Sequence, residues 1–180
     1  MNGLHLFIDN SNLYIEGQRV AREKFRYDDQ LIVRLRISYG NLILKICNER
    51  KLMETVLVGS RPPTNDSLWR LLKKMNITPR IFDRSLYSNK EKGVDAELTN
   101  AIRDTLEDNS EQGTIALVAG DKDYIPTIER CIKKKWNVEI YFWEQASASL
   151  KSLPKTSSNI TFISLDTFFN EIIFHAKERE

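Results

Sequence analysis

Short apolar segments alternate with amphipathic segments along the whole chain, and this alternation limits the fold more than any other feature. The apolar runs have the length of buried strands, whereas apolar residues recur every three or four positions in the segments between them. The predicted strands cover residues 4–8, 53–58, 77–82, 114–119, 138–142 and 159–163, and the predicted helices or helical turns cover about 13–20, 29–48, 66–75, 94–106, 124–134 and 166–176. Strands alternating with helices predict an α/β fold with a mostly parallel central sheet and helices on both faces.

The bulk composition is that of a single globular domain spanning residues 1–180. A chain of 180 residues with 41% hydrophobic and 29% charged residues is large enough to bury a core without disulfides or metals. We find no internal repeat or domain linker, and residues 145–158 are the best candidate for a mobile segment. No apolar stretch reaches the length of about 20 residues that a membrane span needs. The two cysteines match no metal or redox spacing, so we expect an intracellular location, in the cytoplasm rather than the nucleus.

Two of the predicted strands lead directly into acidic residues. The first ends at Asp9, and the strand at 114–119 is followed by Asp121 and Asp123. The carboxyl ends of parallel strands lie on one edge of a sheet, and ligands bind where the strand order reverses. If these two strands are neighbours at that reversal, their carboxylates converge, and Asp95, which opens a helix on the same edge, can join them. The alternative is that these aspartates are helix N-caps or turn residues, which the same pattern permits.

A cluster of carboxylates must take up protons or bind a cation. Unit charges about 4 Å apart repel by several kcal/mol even at an effective dielectric of about 20. Oxygen ligands with no Cys or His in the same motifs favour Mg²⁺ or Mn²⁺ over zinc. A metal bound to such carboxylates could activate a water against a phosphodiester and stabilise the charge that develops. Thr99, one helical turn beyond Asp95, could add a hydroxyl to the site.

Positive charge is concentrated in a few places although the net charge is only +2. Such clusters could hold a polyanion over an acidic centre, or they could be ordinary solvated faces. The clusters are Arg19, Arg22, Lys24 and Arg26; Lys90 and Lys92; and Lys133, Lys134 and Lys135.

Taken together, these motifs resemble those of the NYN domain, a branch of the PIN-like nucleases. The matching segments occur in the family's order and are FIDNSN at 7–12, VGSRPP at 58–63, KGVD at 92–95 and VAGDKDY at 118–124. The resemblance implies a three-layer PIN-like domain, a metal site, and endonuclease activity on RNA, usually single-stranded. It also implies that Asp9, Asp95 and Asp121 bind the metal, directly or through water, with Asp123 acting through a bound water. Asn10 and Asn12 match positions that orient waters or the substrate backbone.

Further substrate contacts are predicted around this edge of the sheet. Arg61, at the end of the second strand, and Lys90 and Lys92, before Asp95, could hold phosphates. Tyr87 could stack on a base. Trp143 follows another strand on the same edge. It could contribute to substrate contacts there, or it could simply be a partly buried rim aromatic.

The leading hypothesis is a metal-dependent endoribonuclease that uses Mg²⁺ or Mn²⁺ and acts on RNA. One alternative is an RNA-binding or scaffold module that keeps the acids but does not cleave. Another is a phosphohydrolase acting on small phosphate esters. The resemblance also suggests a homodimer, and other domains or proteins could select the target RNA.

Overall fold

The structure is a computed structural model that describes residues 3–59, 67–74, 80–83 and 92–176. For residues 67–69, 72, 80–83 and 92–95 it describes the backbone alone. The helices and strands, in chain order, are β1 (Leu4–Asp9), α1 (Asn10–Glu23), α2 (Asp29–Arg34), β2 (Leu35–Ile37), α3 (Tyr39–Cys47), β3 (Leu52–Gly59), α4 (Ser67–Lys74), β4 (Arg80–Asp83), α5 (Lys92–Asp108), β5 (Thr114–Val118), α6 (Ile125–Lys133), β6 (Asn137–Phe142), α7 (Ala148–Ser152), β7 (Ile160–Ser164), α8 (Phe169–Ile172) and β8 (Ile173–His175). Short 3-10 turns precede α6, follow α7 and precede α8.

The central sheet has the strand order β4-β3-β1-β5-β6-β7, and its neighbouring strands pair in parallel. From β1 the chain builds outward to β3 and β4 on one side and then returns to place β5 on the other side. The strand order therefore reverses between β1 and β5, where Ile8 pairs with Val118. This confirms the predicted α/β fold with a mostly parallel sheet, and it also makes the first strand and the Val118 strand neighbours at the reversal.

Two apolar cores lie on opposite faces of this sheet, which gives the predicted three layers. Alternate residues of β1 point to opposite faces, as the two-residue period of a strand requires. Leu4, Leu6 and Ile8 belong to the core that includes residues of α1, α3 and α8. Phe7 belongs to the other core, with residues of α5 and α6. By the same alternation Asp9 lies on the α5 and α6 face.

The segment 29–48 was predicted to be helical, as one helix or as two interrupted at Gly40. It does contain two helices, but a strand that was not predicted lies between them. Leu35 and Ile37 are buried and Arg36 is exposed, which is the two-residue alternation of β2. This strand pairs antiparallel with β8, with Ile37 opposite Ile173. The strand is stabilised by a partner more than a hundred residues away in the sequence, which the local pattern cannot show. Within the segment itself, the apolar residues have helical spacing, and this spacing led to the helix prediction.

The predicted last helix, from an Asp166 cap to about residue 176, is also wrong. Ser164 caps the turn instead, and its hydroxyl accepts a hydrogen bond from the Asp166 N–H. The helix α8 ends at Ile172, because the next three residues form β8.

Residues 145–158 contain α7 and a 3-10 turn, with Leu150 and Leu153 buried. Their mobility stays a prediction. Within the described ranges of the chain, no helix combines the length and apolar character that crossing a membrane requires.

Candidate active site at the strand reversal

Asp9 is a buried carboxylate at the carboxyl end of β1. The residue is 4% exposed and is the N-cap of α1. Its Oδ1 accepts the Asn12 backbone N–H at 3.0 Å, and its Oδ2 accepts the Tyr124 hydroxyl at 3.1 Å. These two donors, one on each carboxylate oxygen, fix the orientation of the group.

The turn after β5 carries two more of the four predicted acids. Asp121 caps the 3-10 turn at Lys122–Tyr124, and one of its carboxylate oxygens accepts the Asp123 N–H at 3.0 Å. Asp121 is half-buried, whereas Asp123 is exposed. Since β1 and β5 are adjacent, Asp9 and Asp121 lie on the two sides of the strand reversal. The N-cap alternative therefore describes both residues correctly, and it is compatible with a role in a site.

The two asparagines after β1 make contacts that hold this edge together. The Tyr39 hydroxyl donates to Asn10 Oδ1, and both residues are buried. Asn12 Oδ1 accepts the backbone N–H of Gly120 at 3.1 Å. These bonds give Asn10 and Asn12 structural roles, and their predicted contacts with waters or substrate stay predictions.

The position of Asp95 follows from the helix that contains it. Asp95 is the fourth residue of α5, and its side chain is outside the described part of the structure. One turn later, Thr99 Oγ1 accepts a hydrogen bond from Thr127 Oγ1 at 3.3 Å, and Thr127 is in the first turn of α6. The α5 backbone also packs on β1, β3 and the 3-10 turn that Asp121 caps. The backbone of Asp95, about 6 Å along the helix from Thr99, is therefore near the acidic edge.

The predicted contacts with phosphates and with a base are not tested by this structure. Arg61, Lys90 and Tyr87 lie outside the described residues, and Lys92 is described by its backbone alone, at the start of α5.

Three basic residues in α1 and at its C-cap pair with acids, which weakens their interpretation as a polyanion surface. Arg19 Nε contacts Glu23 at 3.0 Å, and this hydrogen bond lowers the pKa of the Glu23 carboxyl. Arg22 contacts Asp29 at 2.7 Å, and Lys24 pairs with Asp166. Exposed pairs of this kind add little stability, but they cancel local positive charge.

Trp143 is a core residue rather than a rim aromatic. Its side chain is fully buried, and its indole N–H donates to the Leu13 carbonyl at 2.9 Å. Gly17 packs against the ring, where an added Cβ would lie 3.1 Å from it. Trp143 therefore cannot stack on a base without leaving the core.

Sequence reasoning missed Tyr124 and Tyr39 as contributors to this edge. Both were visible as aromatic residues, and Tyr124 even ends a recognised motif, but neither spacing nor hydropathy indicates which carboxylate or amide a buried phenol reaches. The close packing at Gly120 could have been predicted, because a glycine beside a strand end often marks the close approach of another group. A Cβ on Gly120 would lie 2.1 Å from two ring carbons of Phe142.

The donor chemistry of this edge fits a hard divalent cation. Asp9, Asp121 and Asp123 offer carboxylate oxygens, the ligand type that Mg²⁺ and Mn²⁺ prefer. Among the side chains that the structure describes, no group of three His, Cys, Asp or Glu residues is arranged to hold a metal. Asp95 is outside that set, so a complete cation site would need its carboxylate.

Comparison with solved structures supports the fold. A crystal structure of a protein of unknown function from Vibrio parahaemolyticus matches with a TM-score of 0.59 and 15% sequence identity, over 96% of this chain and 96% of that chain. At this identity the likeness concerns the fold alone. A search of curated proteins returned no match.

Comparison with protein families identifies the chain more closely. The model of the NYN domain matches residues 4–165, which is nearly the whole chain and contains Asp9, Asp95, Asp121 and Asp123. The resemblance predicted from the four motifs is thus confirmed. The protein belongs to the NYN domain family, within the PIN-like nuclease superfamily.

Proposed function

We propose that this protein is a metal-dependent endoribonuclease that cleaves phosphodiester bonds of RNA, with single-stranded RNA as the preferred substrate. The observation that carries the proposal is the placement of Asp9 and Asp121 on the two sides of the strand reversal, in a chain of the NYN family. In open parallel sheets that position is where ligands bind.

Asp9, Asp95 and Asp121 would hold one or more Mg²⁺ or Mn²⁺ ions, with Asp123 contributing through water. The cation would supply Lewis-acid stabilisation of the phosphodiester and a more acidic bound water. Asp9 is suited to this role because its carboxylate is held by two hydrogen bonds and needs little reorganisation. Asp123, being exposed, is suited to orient water at the mouth of the site.

Cleavage of labelled RNA in the presence of Mn²⁺ or Mg²⁺ tests the proposal. We expect activity that is abolished by EDTA and reduced by about 100-fold or more by Asp121→Asn, because a catalytic metal supplies several kcal/mol of transition-state stabilisation. This change keeps the size of the side chain and removes its charge. Single-stranded, double-stranded and structured RNAs should be compared in the same assay. Cleavage that survives both EDTA and Asp121→Asn would refute the metal mechanism.

The path of the RNA can be tested through the salt dependence of binding. Replacing Arg61 and Lys92 together by Ala should weaken RNA binding and flatten its dependence on salt, because fewer phosphate contacts release fewer counterions. Replacing Arg19 and Arg22 is the matched control, since those two cations already pair with acids. An unchanged slope in the Arg61 and Lys92 variant would place the RNA path elsewhere.

A binding module without cleavage is the second candidate. In such a module the buried Asp9 carboxylate would serve only as the N-cap of α1 and as the acceptor of the Tyr124 hydroxyl. This candidate predicts RNA binding without turnover, and binding that is unaffected by Asp9→Asn.

A further inference from the structure

The hydrogen bond from Tyr124 to Asp9 joins the two sides of the strand reversal. Tyr124 is three residues after Asp121, at the end of the turn that Asp121 caps. Its hydroxyl reaches back across the reversal to Oδ2 of Asp9, at 3.1 Å. One residue thus links the carboxylate at the end of β1 to the backbone that presents the carboxylate after β5.

The phenol ring is held by packing rather than by solvent contacts. Tyr124 is fully buried and belongs to the core between the sheet and the α5 and α6 layer, with Phe7, Leu117 and Ile128 among its members. A tyrosine has only two side-chain torsions, so a packed ring leaves its hydroxyl little positional freedom. The position of the donor is therefore set by the core.

A second hydrogen bond crosses the same reversal between other partners. Asn12, three residues after Asp9, accepts the backbone N–H of Gly120, the residue before Asp121. With this bond and the Tyr124 bond, the two acid-bearing segments are tied at two points. The Asn12 bond fixes the backbones relative to each other, whereas the Tyr124 bond fixes the plane of the Asp9 carboxylate itself.

We infer that Tyr124 is a positioning residue that orients Asp9 for cation binding, a role that rests on the proposed metal-dependent function. Partners that hydrogen-bond to a metal-binding carboxylate fix its orientation, and their loss typically costs 10- to 100-fold in metal affinity or activity. The hydroxyl itself does not contact the RNA or the reacting water in this role.

Tyr124→Phe tests the inference because it removes the hydroxyl and keeps the buried ring. The matched control is Tyr141→Phe, which removes another buried hydroxyl that donates to a carboxylate, Glu139 Oε2 at 2.8 Å, away from the site. Mn²⁺ affinity should be measured by calorimetry, RNA affinity in EDTA, and cleavage as separate kcat and KM values. We expect Tyr124→Phe to weaken Mn²⁺ binding and lower kcat by about 10-fold or more, with RNA affinity in EDTA unchanged. Tyr141→Phe should leave all of these at wild-type values.

A second measurement keeps the Tyr124 hydroxyl in place and does not use the Tyr124→Phe variant. With 3-fluorotyrosine placed at Tyr124, the ¹⁹F resonance should shift when Mg²⁺ is added, and the shift should disappear in Asp9→Asn.

The outcomes separate the two proposals. If the wild-type protein binds Mn²⁺ and cleaves RNA but Tyr124→Phe has wild-type Mn²⁺ affinity, or the ¹⁹F resonance is unmoved, the inference about Tyr124 is overturned while the proposed function stands. If the wild-type protein neither binds Mn²⁺ nor cleaves RNA, both are overturned.

Discussion

Gly120→Ala is expected to be among the most damaging single-methyl changes in this protein. A Cβ at this position would lie 2.1 Å from Cδ1 and from Cε1 of Phe142, and 2.9 Å from Cζ. Carbon atoms in favourable contact are about 3.5 to 4.0 Å apart, so the ring would have to retreat by about 1.5 Å. Phe142 is 1% exposed, and its surroundings are close-packed.

Overpacking of a core typically costs about 1 to 3 kcal/mol, and sometimes more. Because the overlap involves two ring carbons of a buried side chain, we expect a loss of about 3 kcal/mol in the free energy of unfolding. For a chain of this size that corresponds to a fall of roughly 6 to 12 °C in Tm. Urea and thermal unfolding measure the change directly.

Gly17→Ala is the matched control. Its added Cβ would meet Trp143 at 3.1 Å, a contact that small adjustments relieve, and alanine gains about 1 kcal/mol of helix propensity over glycine. We expect its stability to remain within about 1 kcal/mol of wild type. Adding Phe142→Leu to Gly120→Ala should recover part of the loss, so that the double variant is more stable than the sum of the single changes predicts. If the free energy of unfolding of Gly120→Ala lay within about 1 kcal/mol of the wild-type value, the reasoning would be refuted.

Three further predictions follow from contacts elsewhere in the structure. Arg50→Ala should lower the free energy of unfolding by about 2 kcal/mol, because the Arg50 guanidinium contacts both carboxylate oxygens of Glu139 at 2.6 and 2.9 Å. A double-mutant cycle with Glu139→Gln should give a coupling energy of about 1 kcal/mol. Asn12→Ala should lower the free energy of unfolding by about 1 to 3 kcal/mol and lower the rate of cleavage, because it leaves the buried Gly120 N–H without its acceptor. Urea unfolding and the RNA cleavage assay measure the two effects. Burial raises the pKa of the Cys131 thiol to about 12, so iodoacetamide at pH 8.5 should label it, by peptide mass spectrometry, in urea but not in the native protein. Because the raised pKa belongs to the folded state alone, the unfolded chain releases the Cys131 thiol proton at lower pH than the folded protein does. The free energy of unfolding therefore keeps this contribution in full below about pH 9 and loses it as pH rises towards 12.

The α/β class and the mostly parallel sheet were predicted from the sequence, because both depend on how strand-like and helix-like segments alternate along the chain. Convergence of the acids required β1 and β5 to be neighbours at the strand reversal, and their pairing meets this condition. The β2 and β8 pair was missed because two three-residue strands become stable only through each other. Likewise, the bond from Tyr124 to Asp9 depends on how a ring packs between layers, which no local pattern contains.

Asp9→Asn separates the two roles that the Asp9 carboxylate combines. As an N-cap, Asp9 accepts the Asn12 N–H through Oδ1, and asparagine caps helices about as well as aspartate. An asparagine at this position can also place its amide beside the Tyr124 hydroxyl, whose oxygen is able to accept a bond. We therefore expect the free energy of unfolding of Asp9→Asn to lie within about 1 kcal/mol of wild type. Asp9→Ala should lose about 0.5 to 2 kcal/mol with the cap, and about 1 to 3 kcal/mol more because the buried Tyr124 hydroxyl loses this acceptor. Mn²⁺ affinity measured by calorimetry should fall sharply in both variants, because both remove the charge. Equal Mn²⁺ affinity in Asp9→Asn and wild type would mean that the carboxylate serves only to begin α1, and that the site acids lie elsewhere on this edge.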